Sequence, residues 1–205
     1  MDGEIKVISW NLLHRAGATI GEVERLIDRQ RPDLFLMQEA TEAIDILAAR
    51  IGGYYARFAL PGRRHGLAAW SRQPFDLPPV ALTLQAGVIV RRVCQIIVID
   101  AIGLANVHLS HGQLLNRRQL RRISLTLPAR AVIIGDYNMI GAPMLPGFRD
   151  AGPRQPTHLA GAVLPLRLDR CLVRGLDCIG AKILPAGASD HLPICVQLMA
   201  SSRSA

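Results

Sequence analysis

The chain has 205 residues, half of them hydrophobic, which is ample for a buried core and excludes a disordered or low-complexity protein. Its formal net charge of +8 rests on 22 Arg and 2 Lys against 16 acidic residues, an excess that favours a polyanionic partner such as nucleic acid or an anionic phospholipid surface. Aromatic residues make up only 4%, which argues against an interleaved stacking platform for single strands.

In chain order, "IKVISWNLL" reads as a first strand. "TIGEVERLIDRQRPD" follows with helical spacing: Thr19 and Glu22 have the capping-box separation, Val23, Leu26 and Ile27 share a face, and Pro32 stops the helix. "DLFLMQEA" is a second short strand ending in Gln38-Glu39, and "EAIDILAARIGG" a second helix closed by glycines. "YYARFAL", "GLAAWSR", "VALTL", "RRVCQIIVID" and "GLANVHL" are successive strands, the last two joined by the hairpin "IDAIG". "GQLLNRRQLRRISLTL" predicts a basic amphipathic helix with Leu114, Leu120, Ile123 and Leu127 inward. "AVIIGDYN" is the next strand, Met139 to Leu164 is rich in Gly and Pro and expected to be mainly irregular, and "LRLDRCLV", "CIGAKILP" and "LPICVQLM" complete the strands. This order fits an α+β fold of two packed sheets flanked by helices better than a doubly wound parallel sheet. One domain over residues 1–199 with a frayed tail over 200–205 is expected.

Cys94, Cys171, Cys178 and Cys195 form no CxxC pair, and three of them sit in apolar strand-like runs, so a zinc site built from them is not expected. "MDGEIKVISW" lacks the regions of a signal peptide, and Arg or Pro interrupts the longest apolar runs short of a membrane span. A soluble, cytoplasmic protein with no transmembrane segment is the resulting expectation.

Several strands end in a polar residue that is costly to bury: Asn11, Glu39, His108, Asp136 with Asn138, Asp169, and Asp190 with His191. Each alone has a mundane reading. Asn11 suits a turn, Glu39 a helix cap, His108 a satisfied core position, Asp169 an ion pair with Arg167 or Arg170, and Asp190 an Asx-turn before Pro193. Those readings do not predict that all arrive after apolar runs in one chain. Oxygen donors from Glu, Asp and Asn suit Mg²⁺ or Mn²⁺, which need only one or two carboxylates. His191 beside Asp190, and within possible reach of Asp169, fits an imidazole steadied by a carboxylate.

The segments "ISWNLL", "PDLFLMQEA", "GLAAWSRQPF", "NVHLSHG", "VIIGDYNM", "LRLDRCLV" and "SDHLPICVQL" occur in an order that resembles the endonuclease/exonuclease/phosphatase superfamily, from about Ile5 to Leu198. The resemblance implies a four-layer α/β/β/α sandwich, two mixed β-sheets face to face with helices outside. It implies Mg²⁺ or Mn²⁺ held by Glu39 with Asn11, and Asp190 as a further acid near the ion. Asp136 would orient or deprotonate the attacking water, and Asn138 would hold that acid and a phosphate oxygen. His191 would contact the scissile phosphate with Asp169 as its carboxylate partner, and His108 would be a phosphate contact or general acid.

Phosphodiester hydrolysis of nucleic acid is the leading expectation from these residues. Hydrolysis of phospholipid head groups or small phosphorylated metabolites is a second, and a catalytically silent binding domain of the same fold a remote third. Leu13 stands where abasic-site enzymes carry an acid, which counts against that activity. "NRRQLRR" and "PGRRHG" are basic segments whose ordinary reading is exposed surface; His65 and His158 are read as surface or loop residues, and His111 as a turn or pocket residue.

Overall fold

The computed structural model describes residues 3–13, 17–87, 90–160, 164–185 and 187–201. The elements in chain order are β1 (Glu4–Asn11), α1 (Ile20–Gln30), β2 (Leu34–Ala40), α2 (Leu47–Ile51), β3 (Tyr54–Ala59), β4 (Gly66–Ser71), β5 (Leu77–Thr83), β6 (Val93–Ile99), β7 (Ile102–His108), α3 (Gln113–Ser124), β8 (Ala131–Asp136), β9 (Arg149–Asp150), β10 (His158–Ala160), β11 (Leu164–Leu166), β12 (Asp169–Arg174), β13 (Leu176–Ile183) and β14 (Ile194–Ala200). One six-stranded sheet runs β13-β14-β1-β2-β4-β3 and the other β5-β6-β7-β8-β12-β9, with β10 and β11 as a separate hairpin.

Each sheet is mixed for the same reason. A helix carries the chain from β1 back to a parallel β2, and another carries it from β7 back to a parallel β8, while every other pairing is antiparallel. Side chains alternate across each strand and so build three apolar layers. Ile5, Val7, Leu34 and Leu36 meet Ile97, Leu104, Val132, Ile134 and Val173 between the sheets. Ile8, Trp10, Phe35 and Met37 face the other way, onto Val23 and Ile27 of α1. Ala105, Val107, Ala131 and Ile133 face Leu120 and Ile123 of α3. The result is helix, sheet, sheet, helix. Each fully buried Leu or Ile in these layers contributes about 2 kcal/mol.

Local chemistry accounts for the element ends. Thr19 and Glu22 form the reciprocal capping box at the start of α1. The β6–β7 hairpin turns through Asp100 and Ala101, both with positive φ (50° and 58°), as a two-residue turn of this hand requires. Cys94, Cys171 and Cys195 are buried free thiols and Cys178 is half-buried.

Four details differ from the sequence reading. The second helix is shorter, a 3₁₀ turn at Glu42–Ile44 followed by α2, which ends at Gly52 with φ of 75°. Leu114 is 72% exposed rather than inward, because Asn116, Gln119, Leu120 and Ile123 take the buried face of α3 and Leu114 lies on the opposite side. Among the described residues between Met139 and Leu164 the chain is mostly irregular but supplies β9 and β10. Of the expected tail, Ala200 closes β14, whereas 202–205 lie outside the described residues.

Gly135 is a position where only glycine fits. Its φ is 142°, and a Cβ there would stand 2.0 Å from the Val107 carbonyl oxygen on the neighbouring parallel strand. Gly135→Ala should lower unfolding stability by about 3 kcal/mol or more. Gly141→Ala, where φ is 86° but nothing lies within 4 Å, should cost only about 1 kcal/mol. Urea denaturation of both variants checks this, and equal losses would contradict the close approach.

Candidate active site

The alternation that builds the inter-sheet core also builds the site. On β1, β7 and β8 the inward residues end in Asn11, His108 and Asp136, and on the antiparallel β12 they begin with Asp169. His108, Asp136 and Asp169 are direct cross-strand neighbours on β7, β8 and β12. All three sit at one edge of the inter-sheet layer, where the parallel strands β7 and β8 reach their carboxyl ends. Ligand sites of open α/β sheets lie at such edges. One rung deeper, Ser9, Gln38, Gln95 and Asn106 are fully buried between the sheets. Gln38 donates to Ser9 Oγ (3.0 Å) and Asn106 Oδ1 (2.7 Å), and Asn106 donates to Gln95 Oε1 (3.0 Å). This neutral network is tied to the Ala56, Met37 and Ala68 carbonyls, leaves Gln38 Oε1 without a partner among the described residues, and underlies the site.

Glu39 breaks the alternation. Gln38 already faces inward, so a regular strand would turn Glu39 toward α1. Instead the register shifts between Gln38 and Ala40, and Glu39 takes φ of 56°. A bulge of this kind re-aims a side chain, and here the Glu39 carboxylate comes within 4.0 Å of His108 Nδ1. Asn138 also has positive φ (47°), which Asn tolerates better than most residues. Its backbone N–H donates to Asp136 Oδ1 (2.9 Å), closing an Asx turn, and its amide donates to the Leu109 carbonyl (3.1 Å) and Asp136 Oδ2 (3.3 Å). "GDYN" is therefore both a turn and part of the polar constellation.

Asp136 is the centre, with 1% of its surface exposed. Asn11 donates to its Oδ2 (3.0 Å), His108 Nε2 lies 3.3 Å away and His191 Nε2 3.9 Å. Burial pushes this carboxyl up, but the two imidazoles, the Asn138 N–H and the Asn11 amide outweigh it and hold Asp136 below its ordinary value. The two histidines differ. Burial lowers His108 to about 4, with Asp136 opposing and nearby Arg92 assisting, so the ring is neutral at pH 7. Burial also opposes charge on His191, yet Asp169, Asp136 and Asp190 raise it to about 9, so this ring is an imidazolium at pH 7.

Several contacts fix His191. Its Nδ1 donates to Asp169 Oδ2 (2.8 Å), its carbonyl accepts from Trp10 Nε1 (2.9 Å), and Ser189 Oγ links its N–H to the Asn11 carbonyl (3.1 and 2.7 Å). Thr157 Oγ1 accepts from the Asp169 N–H (2.9 Å), and the Thr157 carbonyl accepts from the Leu192 N–H (2.7 Å). Asp169 is wholly buried and, among the described residues, pairs with His191 rather than with an arginine; Arg167 and Arg170 turn to Asp150, Arg167 through two 2.7 Å bonds. Asp190 is adjacent in sequence but its carboxylate is partly exposed and lies 3.8 Å from His158 Nδ1. The structure thus brings Asn11, His108, Asp136, Asn138, Asp169 and His191 into one contact network with Glu39 at its side, and turns Asp190 toward a different neighbour.

Arg92, at the site, and His158, packed behind it, escaped the sequence reading. Arg92, just before β6, is 5% exposed and close enough to feel the charges of Asp136 and Glu39. It borders a cavity of about 760 Å³ shared with Ala86, Val90, Ser110, His111 and Leu115. Its signal was the "RR" ahead of an apolar strand, which looks the same as an exposed edge. His158 packs on His191 with ring centroids 4.4 Å apart. Buried polar residues of α3 were missed as well: Asn116 donates to the Tyr137 carbonyl (2.8 Å) and Gln119 to Ser110 Oγ (3.0 Å), fastening the loops that follow β8 and β7. Arg117, Arg118, Arg121 and Arg122 are exposed on the outward side of α3, and Arg63 and Arg64 are exposed in their loop.

The donor chemistry fits a hard divalent cation at Glu39 and Asn11. Glu39 offers a carboxylate, and among the described residues Asn11 Oδ1 accepts one hydrogen bond, from the Leu13 N–H (3.1 Å), of the two it can take.

Residues 8–191 match the profile of the Endonuclease/Exonuclease/phosphatase family. Among solved structures, an endonuclease/exonuclease/phosphatase from Bacteroides vulgatus superposes with a TM-score of 0.80 at 17% identity, covering 97% of this chain and 99% of that one. A functionally unknown conserved protein from Enterococcus faecalis V583 gives 0.78 at 16% identity over 96% and 100% of the two chains. D. rerio TDP2, solved in complex with a single-strand DNA product, gives 0.76 at 14% identity over 96% and 99%. At such identities the likeness is one of fold. No curated protein sequence matches the chain.

The bulge at Glu39 makes a stability prediction with an inverted sign. Within a strand Gly is ordinarily less stable than Ala, but at positive φ the Ala Cβ is strained, so Glu39→Gly should exceed Glu39→Ala by about 1 kcal/mol. Thermal or urea unfolding of the two variants tests it, and Ala as the more stable would refute the re-aimed geometry.

Proposed function

Because the chain belongs to the endonuclease/exonuclease/phosphatase family, we propose that it is a Mg²⁺- or Mn²⁺-dependent hydrolase of phosphodiester bonds that works through Asp136. The observation that supports this most directly is the buried Asp136 carboxylate between a neutral His108 and a protonated His191, with Glu39 and Asn11 alongside.

Glu39 and Asn11 would hold the cation, with Asp190 as a further acid beside His191; bound there, the ion would supply positive charge that lowers the cost of the charge building on the phosphate oxygens. Asp136 accepts a hydrogen bond from the attacking water. Its depressed pKa makes it a weak base, so it orients the water first and takes the proton only as the new P–O bond forms. Asn11 and Asn138 keep the carboxylate in place, and on substrate binding Asn138 turns the N–H that now makes the longer bond, to Asp136 Oδ2 (3.3 Å), toward a phosphate oxygen. His191 presents an imidazolium to the scissile phosphate, and Asp169 holds that ring and its charge. His108 donates from Nε2 toward Asp136 or a phosphate oxygen. Arg92 adds a guanidinium that cannot lose its proton at working pH.

Nucleic acid is the substrate class we favour. The net charge of +8 supports it, as does the likeness in fold to D. rerio TDP2, a protein solved with a DNA product. A phospholipid head group or a small phosphorylated metabolite is the second reading, favoured by the aliphatic residues Ala86, Val90, Leu114 and Leu115 along the cavity beside Arg92. A silent binding domain is disfavoured, since such a domain has no need of a buried, charged and mutually oriented set of this kind.

Turnover of bis-p-nitrophenyl phosphate and nicking of supercoiled plasmid, each with Mg²⁺, Mn²⁺ and EDTA, test the reading. Asp136→Asn, Glu39→Gln and His191→Gln should each lose about 100-fold or more while remaining folded. Since activity needs the protonated His191, kcat/KM should fall as pH rises through about 9. Turnover that survives EDTA, or full activity in Asp136→Asn, would overturn it.

A further inference from the structure

We propose that His158, Asp190 and His191 form a second cation site, suited to a borderline transition ion such as Zn²⁺ rather than Mg²⁺, and that filling it withdraws His191 from the reaction. Only the inhibitory half rests on the function proposed above; the binding half stands on geometry.

His158 and His191 are joined by a backbone bridge between β10 and the loop before β14, and their rings lie 4.4 Å apart with a 37° tilt. Ligand atoms of the three residues all lie within 4.8 Å of one another. Among the described residues His158 Nδ1 is buried without a hydrogen-bond partner, and it faces Asp190 Oδ2 at 3.8 Å, too far for a hydrogen bond. A buried ring nitrogen left in that state is costly, and a cation between it and the carboxylate would satisfy both.

The donor set decides which ion. Two imidazoles and one carboxylate are the ligands of many three-residue zinc sites and leave a fourth position for water, whereas Mg²⁺ prefers oxygen and keeps its hydration. Tetrahedral Zn²⁺ needs ligand atoms about 3.4 Å apart, so the cluster must contract by up to about 1.4 Å. The Asp190 side chain, 40% exposed, is free to make that movement. The Mg²⁺ donors Glu39 and Asn11 are different residues on different strands.

His191 Nδ1 is hydrogen-bonded to Asp169 at 2.8 Å, and its Nε2 faces Asp136 at the ion-pair distance of 3.9 Å. An imidazolium has no free lone pair, so the ion displaces one ring proton of His191 to solvent; whichever nitrogen turns to it, either the orienting carboxylate or the phosphate loses its N–H donor and the ring its own charge. Zn²⁺ should therefore inhibit the Mg²⁺-supported reaction rather than support it.

Calorimetric titration of Zn²⁺ into the protein in excess Mg²⁺ tests the site, comparing wild type with His158→Phe and Asp190→Asn. Phe keeps a ring against His191 and removes the ligand. One Zn²⁺ should bind to wild type at least tenfold more tightly than to His158→Phe, with Asp190→Asn also weakened. Equal affinity in wild type and His158→Phe would overturn the site, whether or not any substrate is turned over. In the activity arm, His158→Phe should keep Mg²⁺-dependent turnover and lose Zn²⁺ inhibition. Zn²⁺ binding that depends on His158 but leaves turnover untouched would overturn the inhibitory half and count against the role given to His191.

Discussion

One carboxylate, Asp136, is buried between two sheets and kept ionised there, and the rest of the site follows from that. An uncompensated buried charge costs several kcal/mol even after the protein relaxes. A hydrogen bond to a charged group returns about 1.5–3 kcal/mol. Asp136 receives three such bonds, from Asn11 and from the backbone and amide of Asn138, and has an imidazole on either side. The donors win, and the group stays below its ordinary pKa. Each donor arrives on a different strand end or turn, so the sheets must stand in their observed register for the charge to be tolerated.

The same economy explains why two histidines at similar distances from Asp136 hold different charges. His108 is enclosed, with Arg92 close by, and its single strong carboxylate neighbour cannot offset burial. His191 has Asp169 bonded to its far nitrogen and a second and third acid within reach, and these carry it well above the usual imidazole range. The site therefore presents a fixed cation at His191, a neutral donor at His108 and an acceptor between them. That is a suitable arrangement for a phosphate and a water held side by side. Removal of Asp169 would be felt at the phosphate only through His191, which makes Asp169 a positioning residue.

Much of this was legible in the sequence because strand periodicity and apolar runs locate strand ends reliably, and polar residues there stand out. "SWN", "LMQEA", "NVHL", "GDYN", "RLD" and "SDHLP" each mark an end, and the sandwich follows from their order and from the two helices that return the chain to parallel neighbours. What was not legible depends on backbone angles and on contacts remote in sequence. The positive φ of Glu39 has no signature in its residue type, yet it decides where the carboxylate points. Arg92 looks like one more member of an Arg-rich chain until β6 carries it to the site. His158 lies in a Gly- and Pro-rich stretch whose pairing with residue 191 no local pattern reveals. Leu114 misled because hydrophobicity alone placed it inward, whereas buried amides at Asn116 and Gln119 claim that face of α3.

The most direct test of this electrostatic account is ¹⁵N NMR of the histidine rings across a pH titration of the cation-free protein, with His108→Gln and His191→Gln for assignment. The account predicts two opposite behaviours: the His191 ring charged at pH 7 and losing its proton only near 9, and the His108 ring neutral until about pH 4. Both rings titrating together near the ordinary histidine value of about 6.5 would contradict it.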